Sequence, residues 1–352
     1  MLRPGGAPPP VTANGTTLTE ADWDRALELI RGAESVALAC HVSPDGDALG
    51  SMLGLGLALR ASGRKVAASF GDRCFAVPRL LRYLPGRDLL VEPESYPAEP
   101  AVMITFDAST MERLGLLMPN AGAAGELIVI DHHVSNTRFG SVHLVDTSAA
   151  ATAVVVEELV RRLGLTLDRE IATCLYTGLV TDTGSFRYRG TTPEVHALAG
   201  RLLATGISPD EIARELWDRS PFAYLGVLGL ALGRARLEPG EAGGHGLVWT
   251  YLGRDDRAAA GLPYSESEGV IDVVRRVDEA DVAVVLKQDD DGTWNVSTRS
   301  KGAVDVSRAC TALGGGGHAL AAGFSSGLAP DKIMAALRPL LSASAEPGTE
   351  AG

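Results

Sequence analysis

Four short clusters of acidic and histidine residues constrain this chain most, because each follows an apolar stretch that reads as a buried strand. They are His41-Val-Ser-Pro-Asp45-Gly-Asp47, Thr105-Phe-Asp107-Ala-Ser109, Asp131-His132-His133 and Thr181-Asp182-Thr-Gly184. The apolar stretches before them are residues 36–40, 102–104, 127–130 and 174–180. Carboxylates and imidazoles at such places are costly to bury unless they are paired or bound to metal. One such cluster is a cap or a turn in most proteins. Four in one chain point to a binuclear metal centre.

The strand and helix pattern gives those clusters a common location. Thr19 reads as the N-cap of a helix through Ile30, with Trp23, Ala26, Leu27 and Ile30 on one face. Residues 35–40, 65–70, 102–105 and 127–130 read as near-continuous apolar strands, which suits a parallel sheet covered by helices on both faces. Residues 48–59 form a small-residue helix, and 151–163, 169–180 and 193–205 further helices. Ligands of open parallel sheets bind beyond the carboxyl ends of the strands. Residues 208–237 read as more helix, broken near Ser220-Pro221. Beyond them 247–251, 282–288 and 294–299 alternate like strands, with a hairpin turn at Asp290-Asp291-Gly292 and helices at 266–277 and 305–313.

At 352 residues the chain exceeds the size at which one core stops growing. The fold expected is therefore α/β with two domains: an N-terminal parallel-sheet domain over 18–205, a helical connector over 206–237, and a smaller α/β domain over 238–342, with the substrate cleft between the domains. Residues 1–17 and 343–352 read as disordered tails, the first without the apolar core of a signal peptide. The longest apolar run, residues 48–59, is too short to span a bilayer. Cys40, Cys74, Cys174 and Cys310 are scattered without a CxxC pair, as expected of reduced thiols in the cytoplasm.

Net charge is −12 and no basic stripe is visible, which argues against binding duplex nucleic acid or a membrane. A short phosphorylated substrate fits better. Carboxylate oxygens with one imidazole per metal suit Mn²⁺ or Mg²⁺ above zinc or copper, and no thiolate lies in any cluster. Two such ions activate a water and hold phosphoryl oxygens for in-line attack. Singly, Asp45-Gly46-Asp47 reads as a turn and helix cap, Asp182-Thr-Gly as a loop, and Asp-His-His as a surface accident. His143, His196 and His245 have no such company.

The Asp131-His132-His133 triplet, with His41-x-x-Pro-Asp45-Gly-Asp47-Ala-x-Gly-Ser51 upstream, resembles the DHH phosphoesterase superfamily. Gly314 to Gly317 and His318, followed by Ala321-Ala322-Gly323-Phe324, look like the phosphate-binding motif of its DHH-associated C-terminal domain. The pattern is most similar to the NrnA-type subfamily of oligoribonucleases (nanoRNases) and 3′-phosphoadenosine 5′-phosphate (pAp) phosphatases. That resemblance implies one metal held by His41, Asp45 and Asp107 and another by Asp47, Asp107, His132 and Asp182, with Asp107 bridging. It places His133 beside the substrate phosphate and gives Asp131 the part of orienting a neighbouring histidine. It implies two Mn²⁺ per subunit, with Mg²⁺ or Co²⁺ as substitutes, and a possible homodimer.

Substrate contacts are expected from Arg299, Ser300, Lys301, Gly315, Gly316, Gly317 and His318. A glycine run lets backbone N–H groups approach a phosphate, and Arg299 and His318 add charge-assisted bonds. Bland readings are a flexible loop for the glycines and an exposed strand end for residues 297–301. No Lys-Ser/Thr follows the glycines, so a Walker A reading fails, and Gly50, Gly54 and Gly56 have the wrong order for a dinucleotide fingerprint. Short RNAs and pAp are the leading substrates, with cyclic di-AMP or pApA as alternative. A family II pyrophosphatase would lack the glycine-histidine loop, a RecJ-like exonuclease would need a further domain, and a non-catalytic nucleotide sensor would tolerate lost ligands, of which none is lost.

Overall fold

The computed structural model describes residues 18–345, so the expected tails lie outside them except for residues 343–345. The chain divides into two compact units at Asp218/Arg219, within the stretch expected as a connector.

The first unit runs α1 (Glu20–Gly32), β1 (Ser35–Cys40), α2 (Gly46–Ala61), β2 (Lys65–Phe70), β3 (Val102–Phe106), α3 (Met118–Gly122), β4 (Glu126–Asp131), β5 (Val142–Val145), α4 (Thr152–Arg162), α5 (Arg169–Asp182), α6 (Pro193–Leu203) and α7 (Pro209–Trp217). Thr19 caps α1 through a reciprocal capping box with Asp22, and Trp23, Ala26, Leu27 and Ile30 form its buried face. The strands form a five-stranded sheet in the order β2-β1-β3-β4-β5, and every pairing is parallel. Alternate residues feed two cores, one on each face. Leu38, Cys40, Ile104 and Ile130 pack in one with α2, α4 and α5, while Ala37, Ala39, Met103 and Leu127 pack in the other.

The second unit contains α8 (Phe222–Gly233), β6 (Arg236–Glu238), β7 (Leu247–Leu252), α9 (Arg254–Ala259), α10 (Val270–Val274), β8 (Val282–Gln288), β9 (Trp294–Ser300), α11 (Val306–Thr311), β10 (Gly316–His318), β11 (Ala321–Ser326) and α12 (Pro330–Ala343). Its six strands lie in the order β10-β11-β9-β8-β7-β6, antiparallel except for the β7/β8 pair. One face packs on α11 and α12, the other on α8 and α10.

Four sequence expectations are corrected. The stretch before Thr181-Asp182, read above both as the end of a buried strand and as part of a helix over 169–180, is the helix α5, capped by Asp168. Its Val and Thr content is overridden by packing against α2, with which it makes the most extensive helix contact of the unit. Residues 266–277 are not one helix: a 3₁₀ turn over Tyr264–Ser267 is followed by the short α10. Residues 236–238 leave the helical run to pair as β6 on the edge of the sheet. Half of the glycine run is strand, because residues 316–318 pair antiparallel with 321–323.

Candidate active site

All four clusters of the sequence analysis fall at the carboxyl end of the first unit's sheet, three directly after strands β1, β3 and β4. The fourth is carried there by the C-terminus of α5. His41 follows β1 and is buried, with Nε2 3.8 Å from Asp45 Oδ2 and 3.6 Å from Asp107 Oδ2. His132 follows β4, with Nε2 3.5 Å from Asp107 Oδ1 and 3.3 Å from Asp182 Oδ2. A single carboxylate, Asp107, therefore turns one oxygen toward each histidine.

Two histidines are oriented by the main chain. His41 Nδ1 lies 2.8 Å from the Val42 carbonyl and His132 Nδ1 3.2 Å from the Ala149 carbonyl. A carbonyl only accepts, so His132 Nδ1 carries a proton, while His41 Nδ1 has both a carbonyl and the donor-only Arg113 guanidinium beside it; in each ring Nε2 is the nitrogen that faces the carboxylates. This is the arrangement that prepares imidazole for a metal.

The carboxylates are positioned by backbone donors. Asp45 is the N-cap of α2, its Oδ1 accepting from the N–H groups of Asp47 (3.1 Å) and Ala48 (3.0 Å), which leaves Oδ2 toward His41. Asp47 is fully buried and caps a different helix. Its oxygens accept from Thr152 N (2.6 Å) and Ala153 N (2.9 Å) at the start of α4, whose own N-cap, Ala151, has no side-chain acceptor. A Cβ on Gly178 would stand 2.7 Å from Asp47 Oδ1, so α5 needs a glycine there. Asp107 adopts a left-handed φ of 56°, an uphill conformation for a non-glycine residue, fixed by its N–H to Ile130 O and by Thr152 Oγ1 donating to Oδ1 at 2.9 Å. Asp131 is fully buried and accepts from the N–H groups of His132 and His133. Its Oδ1 lies 2.8 Å from His133 Nδ1, and its Oδ2 accepts from Asn136 Nδ2.

The crowding of carboxylates shows in the titration of the groups. Burial, then the Asp107 charge, pushes Asp47 up to about 7. Burial, then Asp47, Asp107 and Asp45, raises Asp182 well above the carboxylate range. Burial opposes charge on His41, yet its bonds to Asp107 and Asp45 lift it to about 10. Asp107 is held low against burial by His41, His133 and His132. Donor sets within ligating reach of one another include His41/Asp45/Asp107, Asp47/Asp107/His132 and Asp107/Asp131/His133, and no set among the described residues contains a cysteine. Such a set fits hard to borderline divalent ions.

Sequence reasoning missed Thr152, Asn136, Asp72 and Arg113. Thr152 had no signal, being a threonine at a helix start. Asn136 carries one, because it stands in the turn directly after the Asp-His-His triplet. Arg113 lies with Nη2 3.0 Å from His41 Nδ1 and borders the site with a cation.

The residues expected to contact substrate lie in the second unit. Arg299 is half-buried on β9, with Ala283 and Ala321 as its partners across the sheet. Ser300 is buried and donates to Asp281 Oδ2, and the Lys301 ammonium donates to the Val277 carbonyl, so both make bonds within the unit. Gly315, Gly316, Gly317 and the exposed His318 lie in or beside β10.

Residues 35–179 match the DHH family, N-terminal domain, and residues 253–343 the DHHA1 domain. Across 305 residues the chain is 36% identical to a bifunctional oligoribonuclease and PAP phosphatase NrnA of Thermus thermophilus, covering 86% of this chain and 88% of that protein. The chain belongs to the DHH family. A Bacillus subtilis protein of the same description is 29% identical over 324 residues, covering 89% of this chain and 97% of the relative. An exopolyphosphatase-related protein from Bacteroides fragilis shares the fold, with a TM-score of 0.83 at 24% identity over 92% of this chain and 96% of that one. Among the described residues no helix is long and apolar enough to cross a membrane.

Proposed function

We propose that this DHH-family phosphoesterase hydrolyses short oligoribonucleotides to mononucleotides and pAp to AMP. The observation that carries the reading is the convergence of the buried Asp47 and Asp107, the half-buried Asp182 and the exposed Asp45 on two buried histidines, with one Asp107 oxygen toward each Nε2. The relatives described as oligoribonuclease and PAP phosphatase support the substrate class.

In this reading His41, Asp45 and Asp107 hold one Mn²⁺, and Asp47, Asp107, His132 and Asp182 the other. When bound, such a pair of ions polarises phosphoryl oxygens and acidifies water. The chain's own residues do the positioning. The carbonyls of Val42 and Ala149 beside Nδ1 hold both rings with Nε2 toward the carboxylates. Burial disfavours the charged form of His133, but the Asp131 carboxylate on Nδ1 raises its affinity for a proton, so Nε2–H is offered to a substrate phosphate oxygen. Arg299, His318 and the backbone at Gly316 and Gly317 receive a further phosphate, the Gly315 N–H being donated to the Cys310 carbonyl, with Ser300 and Lys301 bracing the end of β9. The uncharged face of α8, where Phe222 is 89% exposed, supports a homodimer, and four unpaired cysteines are in keeping with a cytoplasmic enzyme.

A product-resolved panel with Mn²⁺ tests the function: a diribonucleotide, pAp, pApA, cyclic di-AMP and a long single strand of matched composition. The expected result is high catalytic efficiency on the diribonucleotide and pAp and a steep fall on the long strand, which would meet an acidic protein surface. Equal efficiency on the long strand would favour a processive exonuclease. Cleavage confined to cyclic di-AMP would replace the proposed substrate.

A further inference from the structure

We infer that Asp72 is a positioning residue that sets the turn carrying the metal ligands His41 and Asp45; this rests on the metal-site reading above. Five residues, 41–45, separate β1 from α2, and they must bring two side chains to the same side. They do so by placing Ser43 in the left-handed region, at φ 52°. For a residue with a Cβ this costs on the order of 1–2 kcal/mol. Ser43 also precedes Pro44, and the proline ring favours extended backbone in the residue before it.

Something must hold that conformation, and Asp72 is placed to do it. Strands β1 and β2 run parallel with Cys40 opposite Phe70, so the segments leaving them run side by side. The Ser43 N–H donates to both oxygens of the Asp72 carboxylate, at 3.1 and 2.9 Å. A hydrogen bond to a charged group contributes roughly 1.5–3 kcal/mol, enough to offset the strain at Ser43. On the other side the Val42 N–H donates to Arg113 O at 2.8 Å. Asp72 is absent from every group of converging metal-ligating atoms, so its effect on a metal passes through the backbone of the turn. Without it, Ser43 relaxes toward negative φ, and Asp45 Oδ2 leaves its place beside His41 Nε2.

The test is Mn²⁺ affinity and stoichiometry by isothermal titration calorimetry on the full chain, with circular dichroism as the check on folding. Asp72→Ala is expected to weaken binding by about 10–100-fold, the range for residues that orient metal ligands. Adding Ser43→Gly to that variant should restore affinity to within about threefold, since glycine adopts positive φ without steric cost. Asp72→Asn keeps one acceptor oxygen and should lose less than Asp72→Ala. Wild-type affinity in Asp72→Ala overturns the proposal. So does a failure of Ser43→Gly to restore binding, or a loss in Asp72→Asn as large as in Asp72→Ala, because either would place the effect on charge. Absence of Mn²⁺ binding by the unmodified chain would overturn the metal-site reading along with it, a result distinct from any of these.

Discussion

The glycine run separates positions the fold requires from one it does not, and this gives a sharp prediction. A Cβ on Gly315 would stand 2.0 Å from Gly323 O and 2.5 Å from Phe324 Cβ. On Gly317 it would stand 2.5 Å from Ala321 O and 2.6 Å from Ala322 Cα, at a φ of 135° that side chains rarely adopt. The obstructing atoms are mostly backbone of β11 and cannot swing away. Overpacking of this kind costs about 1–3 kcal/mol, and the backbone strain at Gly317 adds about 1–3 kcal/mol. Gly316 differs: a Cβ there would meet nothing within 4 Å, and its φ is ordinary. No atom of the described residues demands a glycine at that position, and in the proposed function it is the phosphate that approaches it. Gly316→Ala should leave stability within about 0.5 kcal/mol of the parent. The methyl group would nonetheless stand between a phosphate and the backbone N–H groups. Losing one charge-assisted bond of about 1.5–3 kcal/mol raises KM for pAp roughly 10–100-fold with kcat little changed. Thermal melts and steady-state kinetics on the three variants check this. Gly315→Ala and Gly317→Ala should melt lower, by roughly 2–8 °C per kcal/mol. An unchanged KM in Gly316→Ala, or equal destabilisation of all three variants, would refute the division.

Further predictions concern the metal site. Asp107→Ala should lower turnover by several orders of magnitude with circular dichroism retained, because the one carboxylate facing both histidines is lost; a near-normal rate would remove Asp107 from the site. Metal must displace the protons held by His41, at about 10, and Asp47, at about 7. Apparent Mn²⁺ affinity should therefore rise with pH, by up to about tenfold per unit for each proton displaced. The dependence should be steeper below pH 7, where both groups are protonated, and calorimetric titrations at pH 6, 7 and 8 read the slope. Arg299→Ala and His318→Ala should raise KM while leaving bound metal, measured in the purified variants, unchanged; metal lost with His318 would contradict its assignment to substrate.

Much of the first unit was legible because its strands are buried on both faces. Near-continuous apolar runs gave the bounds of β1 and β2, and Thr19 with its spaced apolar residues gave α1. The site residues were legible by type and by their place after those runs. Other features carried no such signal. Strand β10 is Gly-Gly-His with every residue exposed, so no alternation marks it, and α5 ends in residues of high strand propensity that packing against α2 holds as helix.

By itself, then, the sequence determined which residues are acidic or imidazole-bearing, that three of their clusters follow buried strands, and that the chain belongs with phosphate chemistry. Tertiary structure alone decided how they meet. Asp47 caps a helix that begins more than a hundred residues later, Asp107 divides its two oxygens between His41 and His132, and two backbone carbonyls orient the histidine rings. Periodicity reports which face of one element is buried. The order β2-β1-β3-β4-β5, and hence which strand ends become neighbours, follows from packing between distant segments, and local pattern does not encode it.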